Sequence, residues 1–321
     1  MERMKHCLLL AALCLACSES DEATAQQQPP AVAGAPAADL SAPVVGAFAV
    51  TLVAETSTRG GFTSVLGSVR DAPMPEQLAW EVAASTAGCE LRIPSAPFCD
   101  PSCGASAVCA PNEECVPYPE TQDLGTITVT GVGESEFQMM PTAGVYQPPP
   151  EITLPNPPSA EGSPIRLVTS GGEHPAFTIE STGIAPIALA GPDTVPLDGS
   201  EPLALQWQPP QSEEASRVLI RLDISHHGGL KGEIVCDVAD DGEHEVPAEM
   251  ISQLIELGTA GFPSFTVTRV ASGSTNLEHG RVVLKVLSGE ERFFEIPGIV
   301  SCNEDDGCGD AGTCAVNRTC Q

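Results

Sequence analysis

The sequence predicts a mainly β protein, with two β-sandwich or immunoglobulin-like domains, small disulfide-rich knots and one short helix. Three observations carry this prediction. Short segments of alternating apolar residues recur, glycine and proline (30 each) separate them, and most of the 13 cysteines lie in two clusters. Asp and Glu number 43 against 14 Lys and Arg, a net charge of -29, so the chain lacks the basic surface of a nucleic-acid-binding protein.

Residues 1–16 have the pattern of a secretory signal peptide, because Arg3 and Lys5 precede a short apolar run. This run is too short to span a membrane. The signal peptide and the expected disulfides both indicate export to an oxidising compartment.

The segment Leu15-Ala16-Cys17 resembles the end of a bacterial lipobox, although Cys14 stands where that family usually has leucine. The resemblance implies that Cys17 carries the lipid anchor, and that Cys7 and Cys14 are removed with the signal peptide. Ser18 after the lipid-bearing cysteine implies the outer membrane. The alternative is ordinary cleavage within residues 18–25, followed by release.

The segment 17–43 is expected to be a disordered tether. It has almost no bulky apolar residue and no hydrophobic period, so it cannot bury enough surface to offset its chain entropy. The tether would hold the folded part of the chain away from the membrane.

Residues 44–146 are expected to form a β domain with a four-cysteine insertion at 99–115. The expected strands cover residues 47–53, 62–69, 78–82 and 126–132. The proline-dense stretch 147–160 follows. It is interpreted as a semi-rigid spacer between two domains, with a proline-rich docking motif as the alternative.

Residues 161–300 are expected to form an immunoglobulin-like β-sandwich. Its expected strands cover residues 203–207, 218–224, 234–238, 265–270, 281–287 and 293–296, with the second and third as a hairpin. An apolar stripe over 247–257, with Pro247 at its start and Gly258 after it, predicts a helix. The likeness is one of architecture, because Trp207 precedes Cys236 and the antibody order of Cys, Trp and Cys is missing.

Two cysteine clusters repeat each other. The pattern Cys-Gly-x4-Cys-Ala-x-Asn-x2-Cys starts at Cys103 and again at Cys308, and Cys99 and Cys302 add a fourth cysteine to each unit. Zinc is one interpretation, but zinc sites favour closer cysteine pairs, so disulfides are expected. Four cysteines allow three pairings. The first-to-third and second-to-fourth arrangement is chosen here, which gives Cys99–Cys109, Cys103–Cys115, Cys302–Cys314 and Cys308–Cys320, the last two in a C-terminal knot at 301–321.

Cys89 and Cys236 remain after these assignments, one in each expected domain. The even number of cysteines favours a disulfide between them that would join the two domains. The alternative is a pair of buried free thiols, which pack as small apolar side chains.

Several segments resemble an uncharacterised family of exported bacterial lipoproteins of the myxobacterial type that carry short acidic cysteine-rich repeats. They are GGFTSVLGSVRD, CELRIPSAPFCDPSCGASAVC, LDISHHGGLKGEIVCDV and the tail SCNEDDGCGDAGTC. The resemblance implies export and anchoring, and it supplies no catalytic residue.

The sequence contains no nucleophile elbow, zinc-protease motif, phosphate loop or dinucleotide fingerprint. No catalytic residue, metal ligand or cofactor is therefore predicted. Two weaker possibilities remain open: a zinc or copper site at His226 with Asp223 or Asp237, and weak calcium binding. The carboxylates for calcium would be Asp237, Asp240 and Asp241, or Glu304, Asp305 and Asp306.

We expect a non-enzymatic, surface-tethered lipoprotein that serves as a binding or scaffold module of the cell envelope. Its expected partners are the membrane, through the lipid, and an envelope protein or glycan, with no nucleic acid. A calcium-stabilised adhesion or carbohydrate-binding module is the alternative, and a cryptic metal-dependent hydrolase is the third possibility.

Overall fold

The computed structural model describes residues 39–55, 59–86, 88–212 and 216–321, without the side chains of residues 306 and 311. The expected signal peptide, the lipidation site Cys17 and most of the expected tether lie outside the described residues. No helix within these ranges is long and apolar enough to cross a membrane.

The described residues form an all-β fold, as the sequence predicted. The strands are β1 (Val44–Val53), β2 (Phe62–Val69), β3 (Ala79–Thr86), β4 (Cys89–Ser95), β5 (Ala107–Cys109), β6 (Cys115–Pro117), β7 (Ile127–Thr130), β8 (Phe137–Met139), β9 (Pro141–Thr142), β10 (Val145–Tyr146), β11 (Pro164–Thr169), β12 (Thr178–Thr182), β13 (Thr194–Pro196), β14 (Leu203–Gln206), β15 (Arg217–Asp223), β16 (Glu233–Ala239), β17 (Glu243–Val246), β18 (Ser264–Leu277) and β19 (Gly280–Glu295). The helix α1 covers Ala248–Glu256, and a kinked 3-10 segment covers Asp305–Ala311.

One large mixed sheet organises the fold. Its strands follow the order β3-β4-β16-β15-β18-β19-β1-β2-β10-β9, and β13 also pairs with β19. A four-stranded sheet has the order β12-β11-β7-β8, and β14 pairs with β17 in a separate ladder. β1 and β13 each run parallel to β19, and the other ladders are antiparallel.

Two hydrophobic cores lie along the large sheet. Core A combines buried side chains of β1, β2, β7, β11 and β12 with those of one half of the β18–β19 hairpin, among them Ala271 and Leu284. Core B combines β4, β15, β16, β14, β17 and α1 with the other half of the hairpin, among them Phe265 and Phe294. The long hairpin therefore contributes to both cores.

The expected domain boundary at residues 147–160 does not divide the structure. Strands from both expected domains pair directly, since β1 pairs with β19 and β4 pairs with β16. Residues 39–321 accordingly belong to one compact unit. In place of two immunoglobulin-like domains, the structure has two cores, and each combines strands from both expected domains. The sequence did not predict this arrangement, because local apolar patterns do not determine which distant strands pair.

All ten cysteines in the described residues form disulfides. The bridges are Cys89–Cys236, Cys99–Cys109, Cys103–Cys115, Cys302–Cys314 and Cys308–Cys320. These are the five pairs expected above. The first bridge joins directly opposite residues of β4 and β16, and both sulfur-bearing residues are completely buried in core B.

The two knots share a turn as well as a cysteine pattern. In the first knot the Glu113 N–H donates to the Ala110 carbonyl, and Glu113 has a φ of 61°. In the second the Arg318 N–H donates to the Ala315 carbonyl, and Arg318 has a φ of 62°. The sequence repeat therefore encodes the same backbone turn twice.

Candidate binding groove

A band of polar side chains separates the two cores on the inward face of the β18–β19 hairpin. We call this band the polar seam, and it consists of Arg269, Ser288, Glu290 and Arg292. Arg269 is 1% exposed, and Ser288, its partner across the ladder, is 3% exposed. The strands expected over 265–270 and 281–287 end near these residues because their apolar pattern stops there. In the structure both strands continue, and only the inward side chains change from apolar to polar.

A buried ion pair forms the centre of the seam. Arg269 Nε lies 2.6 Å from Asp240 Oδ2, and the side chains are 1% and 2% exposed. Asp240 also accepts hydrogen bonds from the Trp207 indole N–H and the Ser216 hydroxyl. Burial raises the pKa of Asp240, but the hydrogen bonds from Arg269, Ser216 and Trp207 outweigh that effect, and the pKa lies below its usual value. The carboxylate is therefore held in its charged form.

The seam also fixes the segment 185–192, which carries the chain from core A to core B. Arg269 donates to the carbonyls of Ala185 and Pro186, and the Ser288 hydroxyl accepts the Ile187 N–H. In this segment, side chains form the hydrogen bonds to backbone groups that a neighbouring strand would form in a sheet.

Arg292 holds the end of that segment. Its guanidinium donates to the carbonyls of Leu189, Ala190 and Pro192, and its Nε donates to Glu290. The side chain of Arg292 is only 7% exposed, so its guanidinium forms these bonds to protein groups and has little contact with solvent. The backbone over 189–192 is consequently fixed in place.

Beyond this fixed segment, β13 and β14 lie on opposite sides of a groove. The groove consists of two adjoining cavities of about 320 Å³ each, which share Val195, Leu203 and Ala204. Phe265 lies in the lining of the first cavity, and its ring stacks on Phe294 with 4.9 Å between the centroids. The groove therefore opens directly onto the apolar side chains of core B.

The polar side chains of the groove lie at its two ends. Arg292 and Gln206 line one end, and Asp198, Ser200 and Glu201 line the other. Within the part of the chain that the structure describes, the lining includes no histidine, cysteine or lysine. The groove therefore combines an apolar floor with polar side chains at both ends.

No protein-family model matches the chain, and no match is found among the curated proteins. The groove and the residues around it are therefore interpreted from their own geometry and chemistry.

The alternative metal site at His226 does not assemble. His226 Nδ1 lies 3.9 Å from Asp223 Oδ2, and this carboxylate already accepts hydrogen bonds from the N–H and hydroxyl of Ser225. Asp237 pairs with Arg217 instead. The ring centroids of the adjacent His226 and His227 lie 3.9 Å apart, because the chain turns there, with a φ of 63° at His227.

The carboxylates considered for calcium also have other partners. Asp240 binds Arg269 inside the protein, whereas Asp237 lies on the surface of β16. In the C-terminal knot, Asp305 Oδ1 accepts the Cys314 N–H at 2.9 Å. Among the described side chains, these carboxylates form no group close enough to share an ion.

Three groups of metal-ligating side chains lie close enough to share an ion among the described residues, and each consists mainly of cysteines in disulfides. One group adds His244, whose Nε2 lies 3.2 Å from Cys89 Sγ. Burial lowers the pKa of His244 and outweighs the opposite effect of Asp241 and Glu245. A neutral imidazole therefore packs on the buried bridge.

Sequence reasoning did not find the groove. β13 is three residues long and ends at Pro196, and nothing in its pattern marks it as a strand. The alternation of Leu203, Leu205 and Trp207 predicted β14 correctly, but this pattern does not show that β14 pairs with β17 alone among the described strands.

Proposed function

We propose that this protein is a lipid-anchored, non-enzymatic binding module of the cell envelope, and that the groove between β13 and β14 is its binding site. The observation that supports the binding role is the groove itself, which exposes an apolar floor within a body stapled by five disulfides. Solvent-exposed apolar clefts of this kind commonly mark sites for a partner or ligand.

The anchoring part of the proposal comes from the sequence. A lipid on Cys17, followed by the tether to residue 43, would hold this body at the outer membrane with its loops free to meet a partner. An acidic chain is also well suited to remain soluble at an exposed position.

Lipidation is tested by replacing the anchor residue in the full-length chain. Cys17→Ser should abolish labelling with an alkynyl fatty acid and release the protein from the membrane fraction. Cys14→Ser is the matched control, and it should keep both the label and the membrane association. Labelling that persists in Cys17→Ser would refute the anchor.

The binding role is tested by placing a photo-crosslinking amino acid at position 201, in the lining of the groove, in cells of the native host. We expect a discrete adduct with an envelope component. The same amino acid at the exposed position 278, in the turn between β18 and β19, serves as the control and should give no such adduct. Equal crosslinking from both positions would contradict the assignment of the groove.

A further inference from the structure

On the edge of β14 that faces the groove, some backbone N–H and C=O groups have no hydrogen-bond partner among the described residues. β14 pairs with β17 on its other side, and the Trp207 N–H donates to the Gly242 carbonyl in continuation of that ladder. Since hydrogen bonding alternates along an antiparallel pair, Leu203 and Leu205 also point their backbone groups towards β17. The N–H and C=O of Ala204 therefore point into the groove.

Hydrogen bonds at the closed end of the groove support this direction. The Ala190 N–H donates to the Gln206 carbonyl, and the Gln208 N–H donates to the Ala188 carbonyl. Residues 204, 206 and 208 thus share one side of the strand. Within the described ranges, the hydrogen bonds on that side are made by Gln206 and Gln208 at the end of the strand.

The opposite wall is also a strand edge. The Phe293 N–H donates to the Asp193 carbonyl and the Leu197 N–H donates to the Glu295 carbonyl, so residues 193, 195 and 197 point towards β19. Thr194 and Pro196 consequently point their carbonyls away from β19. Proline at an outward position is typical of an edge strand, because it has no N–H to donate.

The dimensions of the groove suit a short extended segment. Four residues of β14 span roughly 13 Å at about 3.3 Å per residue. A strand paired with Ala204 would direct alternate side chains towards the floor formed by Leu203, Leu205 and Phe265. The intervening side chains would face outwards. This is the geometry by which peptides extend an open sheet edge.

Charge selects the occupant. Asp198 and Glu201 line one end of the groove, and Asp193 adjoins its wall. Hydrogen bonds from the Ser200 hydroxyl and N–H lower the pKa of Asp198, so this carboxylate is ionised at neutral pH. Arg292 is the one cation among the lining residues of the described structure. Its guanidinium donates its hydrogen bonds to three carbonyls and to Glu290. The free charge at the rim is therefore negative.

We propose that the groove binds an extended, positively charged peptide segment of a partner protein, which pairs with the open edge of β14 and places lysine or arginine near Glu201. This inference rests on the proposed function and names the class of its partner. A second copy of the chain is disfavoured as the occupant, because each copy carries a net charge of -29.

The test uses the full-length protein and a blocked six-residue peptide of alternating lysine and valine, with binding followed by calorimetry. We expect this peptide to bind and the glutamate–valine counterpart not to bind. A lysine–valine peptide with N-methyl groups on the amides of one edge should lose at least about tenfold in affinity, since it keeps its charge but lacks the donors. This comparison leaves the protein unchanged.

Two protein variants locate the site. Ala204→Pro removes the N–H that faces the groove and should abolish binding, whereas Ala204→Thr keeps it and should bind as the wild type does. Glu201→Lys should weaken binding by about tenfold and reduce its salt dependence, whereas the same charge change at the exposed Glu278→Lys should have little effect.

Equal affinity for the N-methylated peptide, or for the glutamate–valine peptide, would overturn the inference. So would a dimer in sedimentation that Ala204→Pro dissociates, because the second copy would then occupy the edge. These outcomes are distinct from a failure of the proposed function. If peptide binding fails while position 201 still crosslinks an envelope component, the groove binds by another mode, whereas loss of the Cys17 label refutes only the anchor.

Discussion

Replacing Asp240 by asparagine removes one charge from the polar seam while nearly keeping the shape of the side chain. Asp240 and Arg269 are 2% and 1% exposed, so the variant leaves a guanidinium buried without its counterion. The remaining bonds of Arg269 are to carbonyls of 185, 186 and 208, which do not neutralise it. Breaking one side of such a pair costs about 3–5 kcal/mol, and we expect Asp240→Asn to lower the free energy of unfolding by about that amount.

The control is the same substitution three residues earlier. Asp237 pairs with Arg217, but these side chains are 59% and 54% exposed, and solvent screens the interaction. Asp237→Asn should therefore cost less than about 1 kcal/mol. Both variants would be measured by denaturant unfolding with the disulfides intact.

The pH dependence follows from the direction of the Asp240 shift. Its pKa is lowered in the folded state from 3.8, so its stabilising contribution is complete above that pH and is lost as the pH falls through the lower folded value. The difference between wild type and Asp240→Asn should be constant near pH 7 and shrink below about pH 4. A loss below 1 kcal/mol at pH 7, or a difference independent of acid pH, would refute the account of the seam.

The remaining predictions concern the disulfides and the histidine packed on one of them. Loss of Cys89–Cys236 through paired alanine substitutions should cost about 5 kcal/mol in the chain-entropy model, because the bridge closes a separation of 147 residues. Loss of Cys302–Cys314, with a separation of 12, should cost about 3 kcal/mol, and equal losses in denaturant unfolding would contradict the role of the longer loop. Burial lowers the pKa of His244 from 6.5, so the folded state loses stability as the pH falls below that value. His244→Gln should be less sensitive than wild type to a change from pH 8 to pH 5, and an unchanged pH profile would show that His244 is not held neutral.

Local structure followed from local sequence. β2 covers exactly the expected residues 62–69, and the hairpin of β15 and β16 forms as its two alternating runs predicted. The helix α1 lies within the predicted 247–257, because an apolar stripe needs only neighbours along one chain segment. These elements depend on periodicity, which a single sequence displays.

Long-range pairing did not follow. The parallel pairing of β1 with β19 joins residues more than two hundred positions apart, and the sequence pattern of neither strand indicates its partner. The single strand β19 was expected as two, because the seam residues Ser288, Glu290 and Arg292 interrupt its apolar pattern. Those residues are polar for a reason visible only in three dimensions, since they satisfy the backbone of a distant segment.

The candidate site shows the same limit. The exposed Ala204 and the short β13 have no signature in the sequence. The groove exists because two strand edges face each other and no described strand lies between them. The composition shows that the chain is acidic, but the net charge alone does not indicate a partner. The class of partner follows only when the acidic rim is considered together with the open edge and the apolar floor.

Amide hydrogen exchange, resolved by residue, tests the central claim most directly. In the free protein the Ala204 amide should exchange faster than the Leu205 amide, which is bonded to β17. On addition of the lysine–valine peptide, the Ala204 amide should become protected while that of Leu205 changes little. An Ala204 amide already protected in the free protein, or one that the bound peptide leaves unprotected, would contradict the claim that β14 offers an open edge to a partner strand.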